Sequence, residues 1–357
     1  MLPVIELVLG VALLVYSAEK LVGHLVGIAS RWAVSLFLVA VVFTGIELDD
    51  LAYGVVVNVA GMPQVALGSV IGTSVAMTGI VLALAALLAP SRVDVPRDYL
   101  VLFVAAPVVL LLVAVTGVLT RGVGAALVVL FLAFVGWVGV REHASRRPVF
   151  RSSELYEELE RVGGGSRDGR APERPEPPSG RFTLPGDLRV DQGILRAGRR
   201  STVSGAALAV VSLVGLAVGS VVAGRGTGGV LETFGLDGTV FGVTLVTLAL
   251  SLEDVLLTVE PARRGVPEIG VANVVGSVVF SVTGKLGIVL LAGGAITVDR
   301  SVLVWHLPVL LVMTALAAAL LATGRLRRRH GGLLLGLYVV YVVVSLAAFG
   351  GVPLDAD

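Results

Sequence analysis

Glu47, Asp49 and Asp50 crowd together in Thr44-Gly45-Ile46-Glu47-Leu48-Asp49-Asp50-Leu51, and Glu253 and Asp254 adjoin in Ala249-Leu250-Ser251-Leu252-Glu253-Asp254-Val255, each group inside an apolar stretch. A carboxylate at a bilayer centre costs about 2.5–3.5 kcal/mol even on the lenient insertion scale, so this set would cost on the order of 10 kcal/mol if left uncompensated. Cations, protons, water or Lys285 are the compensators available. Carboxylates combined with hydroxyls and backbone carbonyls make an all-oxygen set, which suits Ca²⁺, Na⁺ or Mn²⁺. His24, His143, His306 and His330 are scattered and cysteine is absent, so a zinc or copper constellation is not written here.

The two acidic groups belong to one repeated unit. An offset of about 204 residues places Asp49 on Glu253, Asp50 on Asp254, Gly61 on Gly265, Pro63 on Pro267 and Gly72 on Gly276 without a gap. Residues three apart share a helix face. Glu47 and Asp50 therefore line one face, Ser251 and Asp254 the matching one, with Asp49 and Glu253 turned away from it. Gly45 leaves room for a local helix break. Downstream, Gly68, Gly72, Thr73 and Ser74, and in the second copy Gly270, Gly276 and Ser277, permit close helix approach and offer hydroxyls.

The elements that position these groups are membrane spans. A chain of 357 residues with only 15% charged residues lies well below the about one quarter found in soluble domains. Crossing the hydrocarbon needs about twenty apolar residues, and ten such stretches occur, near 3–28, 33–59, 65–89, 99–117, 123–140, 203–223, 237–260, 269–293, 301–323 and 331–349. The expected fold is an all-α polytopic membrane protein of ten transmembrane helices, built as two inverted five-helix repeats. Residues 1–140 form the first repeat, 141–201 a mostly disordered linker with a short helix around 153–162 and a turn near Leu184, 202–350 the second repeat, and 351–357 a tail. An odd number of spans per repeat inverts one copy relative to the other, the pattern of transporters whose site lies near the midplane. Met-Leu-Pro at the start has no basic n-region, so the first span reads as retained. Arg31, Arg92, Arg97, the linker arginines, Arg263, Arg264 and Arg325 to Arg329 fall in alternate connections, with Arg121, Arg225 and Arg300 in the others. The positive-inside bias then puts both termini outside and the linker in the cytoplasm of a multi-pass protein of the cell membrane.

These repeats resemble the alpha-repeats of the cation/calcium exchanger superfamily, the sodium/calcium exchangers. The family pattern Gly-Thr-Ser-Leu-Pro-Glu-Leu corresponds to Gly45-Ile-Glu-Leu-Asp-Asp-Leu51 and Ala249-Leu-Ser-Leu-Glu-Asp-Val255. Gly-Asn-Val-Val-Gly-Ser-Asn-Ile-Phe-Asn corresponds to Gly68-Ser-Val-Ile-Gly-Thr-Ser-Val-Ala-Met77 and Ala272-Asn-Val-Val-Gly-Ser-Val-Val-Phe-Ser281. The resemblance implies that the calcium-binding acids fall on Asp50 and Asp254, the serines before them on Glu47 and Ser251, and the later serines on Thr73 and Ser277. It also implies a diamond of four ion sites and antiport of Ca²⁺ against Na⁺ by alternating access. The chain departs from the pattern at Ile46 and Leu250, which replace threonines, at Asp49 and Glu253, which replace prolines, and at Met77 and Ser281, which replace a carboxamide or acid.

Lys285 lies one turn beyond Ser281, deep in the eighth span. It reads as a tethered cation with Glu47, Asp49 or Glu253 as counter-ion. The function expected is secondary antiport of Ca²⁺ against Na⁺ or H⁺; a cation channel or non-transporting ion sensor on the same fold is the alternative. No metalloprotease, nucleophile or nucleotide motif supports an enzyme. No cofactor is expected beyond the transported cations. The partners are the lipid bilayer and inorganic cations, with no nucleic acid, and a monomer suffices for transport.

Overall fold

The structure, a computed structural model, describes residues 2–29, 47–93, 95–145, 202–263 and 267–349. Helices make up nearly all of it. In the first half they are α1 (Leu2–Ala29), α2 (Leu48–Val59), α3 (Pro63–Leu88), α4 (Arg97–Ala114) and α5 (Arg121–Ser145). In the second half they are α6 (Thr202–Phe234), α7 (238–263), α8 (267–293), α9 (Val302–Ala322) and α10 (Arg328–Phe349). Seven helices among the described residues are long and apolar enough to cross a membrane. The protein is an all-α polytopic membrane protein.

Burial separates the helices into layers. α3 and α8 are almost wholly buried, whereas α5 and α10 are mostly exposed. Exposed Val129, Leu132, Val339 and Val343 on the outer helices give lipid an apolar surface, and the helices satisfy their own backbone groups there. With little hydrophobic drive between helices in lipid, close backbone packing does the joining. A side chain on Gly219 would sit 2.7 Å from the Leu14 backbone nitrogen, and one on Gly226 would sit 2.3 Å from that of Leu7, so α1 and α6 meet backbone to backbone. Gly68 and Gly72 do the same for α3 against Thr239 and Val243 of α7, and Gly270 of α8 packs against the Thr258 carbonyl of α7.

Two antiparallel clips tie the halves together. β1 (Ser91–Arg92) pairs with β4 (Arg325–Leu326), and β2 (Val118–Leu119) with β3 (Ile296–Thr297). Gly117 and Gly324, with φ of 80° and 69°, turn the chain out of α4 and α9 into β2 and β4, a left-handed conformation that only glycine adopts without strain. Their carbonyls then accept from Val298 and Val93, at 2.9 and 3.2 Å, which extends each clip by one bond.

Two boundaries differ from those expected. Arg225, expected in a surface connection, lies inside α6, which runs on to Phe234. Residues 141–145, expected to open the linker, continue α5. The first part of the expected second span, the linker from 146 to 201 with its short helix and turn, and the tail lie outside the described residues. Gly219→Val is expected to destabilise the protein by about 1–3 kcal/mol through overpacking. Intrinsic tryptophan fluorescence on heating in detergent should show the lowered melting temperature, with Gly136→Ala, which meets nothing within 4 Å, melting no lower than the parent.

Candidate cation site

α2 begins at the acidic cluster. Glu47 precedes its first turn with non-helical backbone (φ −74°, ψ 87°) and Asp49 and Asp50 lie within that turn, where free N–H groups favour negative charge. In the second half Ser251 and Asp254 sit instead in unbroken helix, downstream of a wide π turn at Gly242–Val246. The break that Gly45 was expected to allow lies outside the described residues, and α2 starts at Leu48.

Asp50 is 2% exposed and Lys285 is 0% exposed. The Lys285 ammonium forms an ion pair with Asp50 Oδ2, and the Thr73 hydroxyl donates to the same oxygen at 2.8 Å. This corrects the expectation that Glu47, Asp49 or Glu253 would be the counter-ion. The reason is the packing of α2 on α8. Gly54 lies one turn beyond Asp50, and a Cβ there would come 3.5 Å from Lys285 Cε and 3.1 Å from a Val289 methyl. The lysine stem runs through that slot to Asp50. Asn58, a further turn on, donates to the Val289 carbonyl at 2.9 Å and fixes the two helices in register.

α8 carries a polar stripe. Asn273, Ser277, Ser281 and Lys285 recur at four-residue spacing, and all are buried. The Asn273 amide donates to Asp254 Oδ1 at 3.4 Å, the Ser277 hydroxyl lies beside the Glu47 carboxyl, and Lys285 holds Asp50. One stripe of one helix therefore touches acids from both repeats. Glu47 is within electrostatic reach of Asp50 and Lys285.

Of the residues singled out from sequence, Asp50, Thr73, Lys285, Glu47 and Ser277 are brought together. Asp254 joins through Asn273, Ser281 lies on the same stripe, and Ser251 is buried one turn before Asp254. Asp49 is buried beside Asp50. The side chain of Glu253 lies outside the described residues. Asn273 and Gly54 were not singled out from sequence. The four-residue spacing from Asn273 to Ser277 was available as a signal; the role of Gly54 appears only once α8 is packed beside it.

Many oxygens of this set accept no hydrogen bond. Both Glu47 carboxyl oxygens, Asp50 Oδ1, Asn273 Oδ1 and the hydroxyls of Ser251, Ser277 and Ser281 are buried without a bonding partner among the described residues. Buried oxygens left this way cost about 1–3 kcal/mol each, and a hard cation is the partner that would satisfy them together.

A profile of the family described as sodium/calcium exchanger protein matches residues 2–140 and 204–347. The chain belongs to this family. Its members are transporters and not enzymes. Sodium/calcium exchanger MaX1 of Methanosarcina acetivorans is 32% identical over 114 residues, 32% of each protein, so the match spans about a third of that relative's length. An uncharacterised membrane protein of Methanocaldococcus jannaschii is 24% identical over 94% of this chain and 95% of its own. The sodium-calcium exchanger NCX_Mj, in crystals soaked with Na⁺ and Sr²⁺, superposes with a TM-score of 0.57 at 19% identity, covering 96% of this chain and 98% of that one. At that identity the likeness establishes the fold.

Breaking a buried pair by removing one partner costs about 3–5 kcal/mol. Asp50→Asn should therefore lower the melting temperature in detergent sharply, and Asp50→Asn combined with Lys285→Met should recover most of the loss.

Proposed function

We propose that the protein is a secondary active cation antiporter that exchanges Ca²⁺ for Na⁺ or H⁺ by alternating access. The site is formed by Asp50, Asp254, Glu47, Ser251, Thr73 and Ser277, with Asp49, Glu253 and Ser281 around it. The observation that carries this reading is the set of donor-less buried oxygens contributed by α2, α7 and α8. Among the described residues no three Asp, Glu or His side chains gather as a metal-holding group, so the cargo ion draws on hydroxyl and amide oxygens as well as carboxylates. The named activities of MaX1 and of mouse sodium/potassium/calcium exchanger 2, 27% identical over 123 residues, accord with calcium as cargo.

The inverted arrangement of ten spans finds support in the clips. Under the repeat offset β1 corresponds to β3 and β2 to β4, so the pair β1–β4 is the counterpart of β3–β2. Ten crossings bring β1 and β4 to one membrane face and β2 and β3 to the other. Arg92 opposite Arg325 marks the first face as the arginine-rich one, which the positive-inside bias makes cytoplasmic. Gln64 of α3 donating to Thr297 (3.2 Å) and Thr239 of α7 to Asp299 (3.3 Å) gather on the other.

Purified protein in liposomes is expected to take up Ca²⁺ under an outward Na⁺ or proton gradient, each imposed separately, and to accelerate when Ca²⁺ is present on the opposite side. Asp254→Asn, which leaves the Lys285 pair intact, should lower the initial rate at least tenfold, a loss of about 1.4 kcal/mol or more. Uptake insensitive to both Asp254→Asn and Asp50→Asn would remove this site assignment. Flux without acceleration by the opposite-side ion would indicate a pore.

A further inference from the structure

Among the differences between the two halves of the site, three that alter charge or clear a path meet at one place. Glu47 stands where the second repeat has Ser251, Gly54 where it has Thr258, and Lys285 where the first repeat has Val81. The first departure adds a negative charge, the third adds a positive one, and the second makes the room the lysine stem passes through. Lys285 reaches Asp50, and Glu47 lies within electrostatic reach of both with neither carboxyl oxygen hydrogen-bonded among the described residues. Asp49 and Glu253 match across the repeat, so they leave this difference untouched.

A purely structural ion pair needs one acid and one base. Here a second buried acid accompanies the pair, and the ammonium cancels one unit of the carboxylate charge that would otherwise call for a mobile ion. Resting on the antiport reading, we propose that Lys285, paired with Asp50, is a tethered monovalent cation that offsets the one negative charge Glu47 adds beside the pair, and that this balance of lysine and extra acid sets how many mobile monovalent ions balance each Ca²⁺. The ammonium fills one charge position in every state of the cycle. Of the three acids Glu47, Asp50 and Asp254, the ammonium offsets one unit of charge, and the two units left fix the mobile charge that remains. Removing Lys285 exposes one further negative charge and calls for one more monovalent ion per Ca²⁺. Removing Glu47 alone calls for one fewer. Removing both restores the balance.

The test uses full-length protein in liposomes with the potential clamped by K⁺ and valinomycin, reading the Ca²⁺ accumulation ratio at a fixed Na⁺ or proton gradient. One elementary charge moved per cycle shifts that ratio by roughly 50-fold per 100 mV. Lys285→Ala is expected to change the voltage dependence by one such unit relative to the parent, and Glu47→Gln by one unit in the opposite direction. The double variant Glu47→Gln with Lys285→Ala, and the charge-keeping Lys285→Arg, should retain the parental slope. Parental slopes in both Lys285→Ala and Glu47→Gln overturn the proposal while leaving antiport standing. Where Lys285→Ala does not fold, Glu47→Gln against the parent and Lys285→Arg decides the matter, and a parental slope in Glu47→Gln then overturns the proposal. Wild-type vesicles that accumulate no Ca²⁺ under either gradient overturn the antiport reading itself, and this proposal with it.

Discussion

Ammonium and carboxylate cannot stay charged in a hydrocarbon-bounded bundle unless they find each other or a ligand, and the Lys285–Asp50 pair is where this protein meets that constraint. The pair adds little net stability by itself, because desolvation of both groups offsets most of their attraction. What it imposes is register. For the ammonium to reach Asp50, α2 must lie on α8 with Gly54 over the lysine stem, and Asn58 then falls opposite the Val289 carbonyl. Gly293, where an added Cβ would come 2.4 Å from the Asn58 amide nitrogen, closes the same seam one turn further along. Tyr53 adds an anchor to α6 through a 2.7 Å bond with Thr227.

The repeat supplies symmetry and the site breaks it. α3 and α8 form the buried centre, and each carries a wide turn at the equivalent place, Met77–Val81 in one and Ser281–Lys285 in the other. Yet the stripe on α8 is polar along its length, whereas its counterpart on α3 runs Ser69, Thr73, Met77, Val81. The Ser69 hydroxyl is spent on the Ala66 carbonyl, which leaves Thr73 as the α3 group on that stripe that reaches an acid. Most of the unpaired oxygen therefore comes from the second repeat and from the acidic start of α2.

The repeat, the acids on its two copies and the depth of Lys285 were legible in the sequence, because intramembrane charge is costly and an unbroken offset of paired acids is hard to produce otherwise. The partner of Lys285 was not. Glu47, Asp49 and Asp50 crowd one short stretch of sequence, and the choice among them depends on where the helix starts, which helix packs opposite and where a glycine clears the path. Arg225 misled for a different reason. Ala223-Gly-Arg-Gly-Thr-Gly-Gly229 has the composition of a turn, but Gly226 and Gly229 are there to let α6 press on the backbone of Leu7 and the ring of Pro3. In a membrane bundle, small residues in a helix mark seams as readily as they mark ends. The strand clips were equally invisible, since two-residue pairings leave no alternating pattern to read.

The matched wide turns have a bearing on direction. Each inserts one residue more than a regular helix of the same rise would hold, so everything past it is rotated by about 100° from a straight helical projection. Lys285 closes its turn, and its aim at Asp50 belongs to that surplus residue as much as to the side chain itself. A chain one residue shorter between Ser281 and Gly284 would regain ordinary pitch and point the amine toward a different neighbour.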